Sequence, residues 1–491
     1  MLNRILPFNS GVYFLFVLIV SLSSCSNKGT RDSETNRQTE ELDLFDSTSV
    51  VFDLADIKER GSLRVILENT STDYFLYKGQ AMGFQYDLIQ DFANNQDLKL
   101  DIIIENNFER GFQLLLKGEA DIFAHSITIT KNRLKIISFS DPQYEIRQML
   151  VQRKPDNYNK LKEHEIEDKL IRSPSQLIDQ EISVKKGSSY IQRLKNLSAE
   201  LGGDITIKEE DLLTEELINN VSEGKIIFTV SDEDIADINA TYLDNIDVQT
   251  PLSLPTQVGW AVRPNSPELL ILINQWLAHK KNLPDYNVLR QRYFESPKKF
   301  KRLVQSDFSS QGGGNISQYD DLIKKYSSGI NWDWRLLAAL IFQESQFDPK
   351  SVSWMGAQGL MQLVPNTAKE FGAKSILNPE QNIMAGTKYL DWLDNYWKKY
   401  IEDPTERLNF VIASYNAGQG HVLDAMNLAE KYGKDPKLWH DHVDFYLLQK
   451  SKPKYYQDPI VKYGYCRGRE PVNYVKSIFE QFSIYQQFIP N

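Results

Sequence analysis

Apolar positions change their rhythm once along this chain. In its first part, short apolar runs at Leu63–Leu67, Leu100–Ile104 and Ala120–Ala124 alternate with stretches of helical spacing at Tyr86–Asn94 and Phe108–Lys117. That alternation predicts a parallel sheet covered by helices, with the apolar runs as its buried centre. The rhythm resumes with Ile182–Val184, a helix from Ser189, Lys225–Val230, and Gly259–Val262 leading into a helix over Pro267–His279. Two α/β lobes fit this pattern better than one continuous sheet. From Tyr319 onward the spacing settles near 3.6 at Tyr319–Tyr326, Asp333–Ser345, Pro365–Glu370, Pro379–Tyr400, Thr405–Asn416 and Val422–Tyr432, which predicts a second, mainly helical module. Between the two, a Ser- and Gly-rich stretch with Gly312-Gly313-Gly314 predicts a flexible linker over 304–318.

Composition supports two folded modules. The chain has 491 residues, 41% hydrophobic and 25% charged, enough for two to four domains and incompatible with wholesale disorder. Its formal net charge of −10 disfavours a nucleic-acid partner. Basic and acidic residues balance from Tyr319 onward, so the acidity belongs to the first module. At the N-terminus, Arg4 precedes an apolar stretch over Val12–Val20 that is too short to span a bilayer but suits an export signal. Leu22-Ser23-Ser24-Cys25 follows it and resembles the lipobox of bacterial lipoproteins, in which the cysteine is acylated. The expected organisation is a signal peptide over 1–24, a polar tether over 25–50 starting at lipidated Cys25, a bilobal module over 51–303, the linker, and a helical module over 319–491. With 2 cysteines in all, acylation of Cys25 leaves Cys466 without a disulfide partner.

Four motifs in the first module, Gly83-Phe84-x-x-Asp87-Leu88, Leu115-x-x-Gly118-x-x-Asp121, Thr128-Ile129-Thr130-x-x-Arg133 and Phe139-Ser140-Asp141-Pro142-x-Tyr144, resemble the polar amino-acid-binding type of periplasmic solute-binding protein. The resemblance implies a cleft between lobes joined by crossing strands. Thr128 and Arg133 would hold a ligand carboxylate, Asp232 its ammonium, and Ser188 would lie in a hydroxyl-bearing turn. Arginine offers a planar fork of donors suited to a carboxylate; the competing reading is a structural Arg133 paired with Asp141. His125-Ser126-Ile127 departs from the small residues common there, which reshapes the expected pocket. The implied ligand is a small amino acid or muropeptide.

In the second module, Leu337, Leu340 and Ile341 fall on the helical face that leads to Glu344, so a carboxylic acid is predicted to emerge from an apolar stripe capped by Asn331 or Asp333. Burial there would raise its pKa toward that of a useful general acid. Gly356-Ala357-Gln358-Gly359-Leu360-Met361-Gln362, Ala413-Ser414-Tyr415-Asn416-Ala417-Gly418-x-Gly420 and Glu470-x-x-x-Tyr474-Val475 accompany it. With Glu344-Ser345 they resemble the soluble lytic transglycosylase domain, a lysozyme-like helical fold, over about Ile330–Ile478. The resemblance implies Glu344 as the catalytic acid, Gln362, Met361, Tyr415, Asn416 and Tyr474 around a glycan groove, and Met361 facing the sugar.

Ordinary glycoside hydrolysis uses two carboxylates. The motifs carry one, and Asp348 beside Pro349 reads as a helix terminator. The resemblance implies a route that needs one acid: protonation of the glycosidic oxygen, N-acetyl assistance, and closure of a 1,6-anhydro ring. A hydrolytic muramidase and a non-catalytic murein- or solute-binding lipoprotein are the alternatives. No cofactor is expected, and the 6 histidines form no zinc motif, so no metal is expected either. The expected location is the periplasmic face of the outer membrane, through a lipid anchor, with peptidoglycan strands as the partner.

Overall fold

The computed structural model describes residues 50–294 and 302–490. The signal peptide, Cys25 and almost all of the expected tether lie outside the described residues. The first sheet has the order β4-β1-β5-β13-β6, with β7 also paired to β13. Its strands are β1 (Ser62–Leu67), β4 (Lys99–Ile104), β5 (Ile122–Thr128), β6 (Ser138–Phe139), β7 (Tyr144–Ile146) and β13 (Thr256–Val262). β1 runs parallel to β4 and β5, while β13 is antiparallel to β5. The second sheet, β10-β9-β11-β8-β12, is built from β8 (Gln148–Arg153), β9 (Glu181–Lys185), β10 (Thr206–Glu210), β11 (Phe228–Asp232) and β12 (Ile246–Pro251). The chain passes between the lobes twice, from β7 to β8 and from β12 to β13. At the crossing the two segments are stitched by Leu252 N–H to Gln148 O at 2.7 Å and Gln148 N–H to Ser253 Oγ at 2.9 Å. The bilobal α/β module and the helical one are therefore both present, as their periodicities predict.

How apolar side chains are shared sets the mechanics. Along β8, Leu150 enters one core of the second lobe, with Ile182, Val184 and Leu194, while its neighbours Met149 and Val151 enter another, with Ile218, Val221 and Ile235. That is the two-residue alternation of a sheet covered on both faces. The first lobe has no such privacy. Its Leu63, Val65, Phe84 and Trp260 belong to one continuous core with Ile323, Leu337, Leu390 and Tyr485 of the helical module. The first lobe and the helical module are thus one body, to which the second lobe is joined by the two crossing segments.

The helices that position the sites are α1 (Phe108–Leu116), α2 (Ser189–Leu201) and α3 (Thr214–Ser222) in the first module, then α4 (Trp334–Ser345), α5 (Pro379–Trp397), α6 (Pro404–Ala417) and α7 (Arg469–Phe488). Asp333 caps α4, accepting from Arg335 N–H at 2.9 Å, which decides between the two expected caps. Gln346 and Phe347, at φ 51° and 62°, end it in the left-handed region before Asp348-Pro349 is reached. The expected apolar stripe is wider than its pattern suggested. Trp334 through Ile341 are all buried, so α4 is a core helix surrounded on every side.

The expected flexible linker is a fastening instead. Lys78 N–H donates to Phe308 O at 2.8 Å, Ser310 N–H to Leu76 O at 3.0 Å, and Leu76 N–H to Ser310 Oγ at 2.9 Å. These bonds tie it to the hairpin of β2 (Phe75–Tyr77) and β3 (Gln80–Met82). A Cβ on Gly312 would stand 2.5 Å from Ser306 O, and one on Gly313 2.6 Å from Asp307 O. Glycine is there to let backbone approach backbone rather than to loosen the chain.

Candidate functional site

Glu344 is the penultimate residue of α4, half-buried at its open end. The Tyr474 hydroxyl, carried by α7, donates to Glu344 Oε1. Burial raises the carboxyl to about 7, and the Tyr474 hydrogen bond works against that rise. No other charged group among the described residues acts on it appreciably. Asp348 is exposed and accepts from Lys350 N–H at 2.9 Å, a turn-capping role.

The motif segments meet at this carboxyl because hydrogen bonds fold them there. Ser345 Oγ donates to Leu360 O at 2.8 Å, tying the 356–362 segment to the end of α4. Tyr415 Oη donates to Met361 O at 2.6 Å, and both Tyr415 and Tyr474 have phenols raised well above 10 by burial and then by the Glu344 carboxylate. Gln362, at φ 46°, donates through Nε2 to Gly359 O at 2.9 Å and Ser351 O at 3.0 Å, so its amide N–H group holds the loop. Asn416 is exposed at the end of α6.

Met361 departs from expectation. Its side chain is fully buried against Gly386 of α5, where any Cβ would collide with the thioether, so it packs the floor of the site and does not face a sugar. Only its backbone serves the site, its N–H donating to Asn382 Oδ1 at 2.8 Å and its carbonyl accepting from Tyr415. Asn382 was missed in the sequence. Fully buried, it also donates to Ile376 O at 2.8 Å and Gln358 O at 3.1 Å, holding the motif loop from below. A polar residue one turn into α5, followed by apolar positions, was the available signal. A row of rings was missed as well: Tyr389 lies 5.3 Å from Tyr415, with Trp392 and Tyr396 following at 6.1 Å steps along α5, nearly stacked. Their spacing of three and four residues places them on one helix face.

The other predicted residues line one small cavity between the lobes. Thr128 ends β5, Arg133 follows it, Ser188 precedes α2, and Asp232 ends β11. Arg133 Nη1 donates to Thr128 O at 3.0 Å, and its guanidinium lies 5.1 Å and 5.7 Å from the ring centres of Phe108 and Phe112. It makes no ion pair with Asp141, whose N–H donates to Asn274 Oδ1 at 2.8 Å. Burial lowers Arg133 to about 10, against the pull of Asp232, and raises Asp232 to about 6. Asp232 Oδ1 and Ser188 Oγ are buried with no hydrogen-bond partner. Unsatisfied buried polar atoms are costly, which suits a place meant to be filled.

Sequence reasoning missed Glu68, Lys185 and Tyr190 in this cavity. It noticed His125 only as a departure. His125 Nδ1 contacts the Asp73 carboxylate and Nε2 lies 3.3 Å from Glu68 Oε2. Glu68, Asp73 and His125 are all buried and each offer one ligand atom, all within 4.8 Å of one another, so this trio could hold a metal ion.

Residues 321–438 match the model of the transglycosylase SLT domain, and residues 63–296 that of bacterial extracellular solute-binding proteins, family 3. A membrane-bound lytic murein transglycosylase F of Desulfosudis oleivorans is 34% identical over 432 residues, spanning 88% of this chain and 91% of its own. One of Pseudomonas fluorescens is 30% identical over 431 residues, spanning 87% and 85%. Among solved structures, an ancestral arginine-binding protein bound to arginine aligns with 48% of this chain and 99% of its own, at 24% identity and a TM-score of 0.41.

Proposed function

The chain belongs to the membrane-bound lytic murein transglycosylase F family, and from that premise we propose that Glu344 alone supplies both the acid and the base of glycan cleavage. The protein is a membrane-associated periplasmic enzyme, a lytic transglycosylase acting on peptidoglycan. One observation carries the residue-level reading: a half-buried carboxyl raised to about 7, hydrogen-bonded to Tyr474, with no second carboxylate among the described residues acting on it. Near neutral pH such a group is present in both protonation states.

In its acid form Glu344 gives its proton to the glycosidic oxygen as the bond from muramic C1 breaks. The N-acetyl oxygen covers C1 while the departing sugar leaves with its new hydroxyl. The muramic O6 then bonds to C1, and its proton passes to the Glu344 carboxylate, which restores the acid. No water is consumed. Tyr474 orients the carboxyl, Tyr415 and Asn382 hold the 356–362 wall, and Gln362 and Asn416 border the groove. Digestion of purified murein is expected to release muropeptides one water lighter than hydrolysis products; products of hydrolytic mass would overturn the single-carboxylate route. Tyr474→Phe is expected to lower kcat roughly 10- to 100-fold. It also removes the bond that holds the Glu344 pKa down, so the alkaline limb of the kcat/KM profile should move upward.

Acylated Cys25 as an outer-membrane anchor and an amino acid or muropeptide in the interlobe cleft belong to this proposal. Thr128, Arg133, Ser188 and Asp232 are its binding residues. A physical route for coupling supports regulation by that ligand. His125 in the cleft contacts Asp73, the next residue Tyr74 has its ring 4.8 Å from that of Phe488 on α7, and α7 carries Tyr474. Closure of the second lobe would press on this route through Glu215, which accepts from Ser71 N–H at 3.1 Å.

A further inference from the structure

The interlobe cavity is lined by buried polar atoms without hydrogen-bond partners and by one buried lysine. At one end Asp232 Oδ1 and Ser188 Oγ are buried without partners. At the other end a residue of the protein already does what a ligand would do. Lys185, the last residue of β9 in the second lobe, reaches across to the first lobe; burial lowers its amine to about 7, against the pull of Asp232 and Glu215. There it forms an ion pair with Glu68, just beyond β1, and stands 4.7 Å from the centre of the Phe108 ring. A carboxylate and an aromatic face together hold a cation, by charge and by the ring quadrupole. Lys185 meets both from within, although Glu68 Oε1, like Asp232 Oδ1 and Ser188 Oγ, has no hydrogen-bond partner.

We propose that Lys185 is a tethered cation filling the side-chain end of the cleft, so that the cleft admits amino acids with small uncharged side chains and excludes cationic ones. The proposal rests on the reading of this cleft as an amino-acid site. The ligand's backbone carboxylate goes to Arg133 and its ammonium to Asp232, whose buried Oδ1 has no partner. Its side chain must then fit beside the Lys185 chain. A ligand cation would have to displace an ammonium that cannot leave, and the Glu68 and Asp73 carboxylates around His125 would be left to it only if that ammonium were gone. Because Lys185 and Glu68 belong to different lobes, the same pair also helps hold the cleft closed.

The test is calorimetric titration of the full-length protein with L-alanine, L-arginine and L-glutamate. Wild type is expected to bind L-alanine and to bind L-arginine at least 100-fold more weakly. Lys185→Ala should gain at least 30-fold in L-arginine affinity while L-alanine changes less than 5-fold. Equal arginine affinity in wild type and variant, with alanine still bound, overturns the role of Lys185 and leaves the amino-acid site standing. If no amino acid binds wild type or variant, the reading of the cleft fails and the proposal with it. Should Lys185→Ala not fold, Glu68→Gln decides. Freed of its carboxylate, Lys185 should then accept an acidic side chain and raise L-glutamate affinity about 10-fold; an unchanged value overturns the proposal.

Discussion

Glu344→Gln is expected to lower murein turnover by about three orders of magnitude or more and, above pH 7, to make the folded protein more stable than wild type. On the mechanism proposed above, the loss of activity follows from removing the group that exchanges a proton with the glycosidic oxygen. The gain in stability follows from the sign of the pKa shift. Burial raises Glu344 from 4.5 to about 7, so the folded chain holds this proton more tightly than the unfolded chain. That contribution is fully present below the unfolded value and is lost as pH rises through the folded one. Glutamine carries no charge at any pH and keeps what glutamate loses. The difference should be near zero at pH 4, grow between 4.5 and 7, and level off above 7 at about 2 kcal/mol after allowance for partial exposure. Denaturant melts of both proteins at pH 5 and pH 8 read it directly. Equal stability at both pH values, or a variant with residual turnover near wild type, would remove Glu344 from its role.

Gly79→Val is expected to break the molecule at its internal seam. Gly79 has φ +78°, and a Cβ there would stand 2.6 Å from Tyr485 Oη and 2.8 Å from the Phe347 ring. Its carbonyl also accepts from Gln481 Nε2 at 2.9 Å and Tyr485 Oη at 3.1 Å. A β-branched residue in that conformation, pressed into that contact, should cost about 3–5 kcal/mol. Because the first lobe and the helical module share one core, wild type should melt them together, and the valine variant should resolve them into separate calorimetric transitions. Cleft ligands should then change murein turnover less in the variant than in wild type. A single transition with an undiminished ligand effect would show that the seam does not join the modules mechanically.

The two predictions draw on different amounts of sequence information. The position of Glu344 beside the 356–362 segment, Tyr415 and Tyr474 could be anticipated from the chain because its helix repeats apolar residues at regular intervals and its companions sit in compact motifs. The pairing of periodicities with fold class held for the same reason: local rhythm reports which face is buried. Where partners lie far apart in sequence, that rhythm is silent. Lys185 and Glu68 meet only because β9 and β1 end at the same cleft, and neither residue is unusual in its own neighbourhood. Met361 shows the opposite error, a motif residue assigned to the substrate when the cavity above Gly386 is what its side chain fills. The Gly312–Gly314 run misled through composition, which measures the freedom of an isolated chain and takes no account of the hairpin waiting to bind it. Strand limits slipped likewise at β11, where the segment expected over Lys225–Val230 becomes a strand only over Phe228–Asp232 and Ile227 is 66% exposed.

The last long helix touches both halves of the protein's business. Tyr474 near its start meets Glu344; Tyr485 and Phe488 near its end meet Gly79 of the hairpin and Tyr74 of the first lobe. Eleven residues at 1.5 Å each separate Tyr474 from Tyr485, about 16 Å of stiff rod. A chimera that grafts a foreign solute-binding module onto the helical one would therefore have to bring the far contacts of this rod with it.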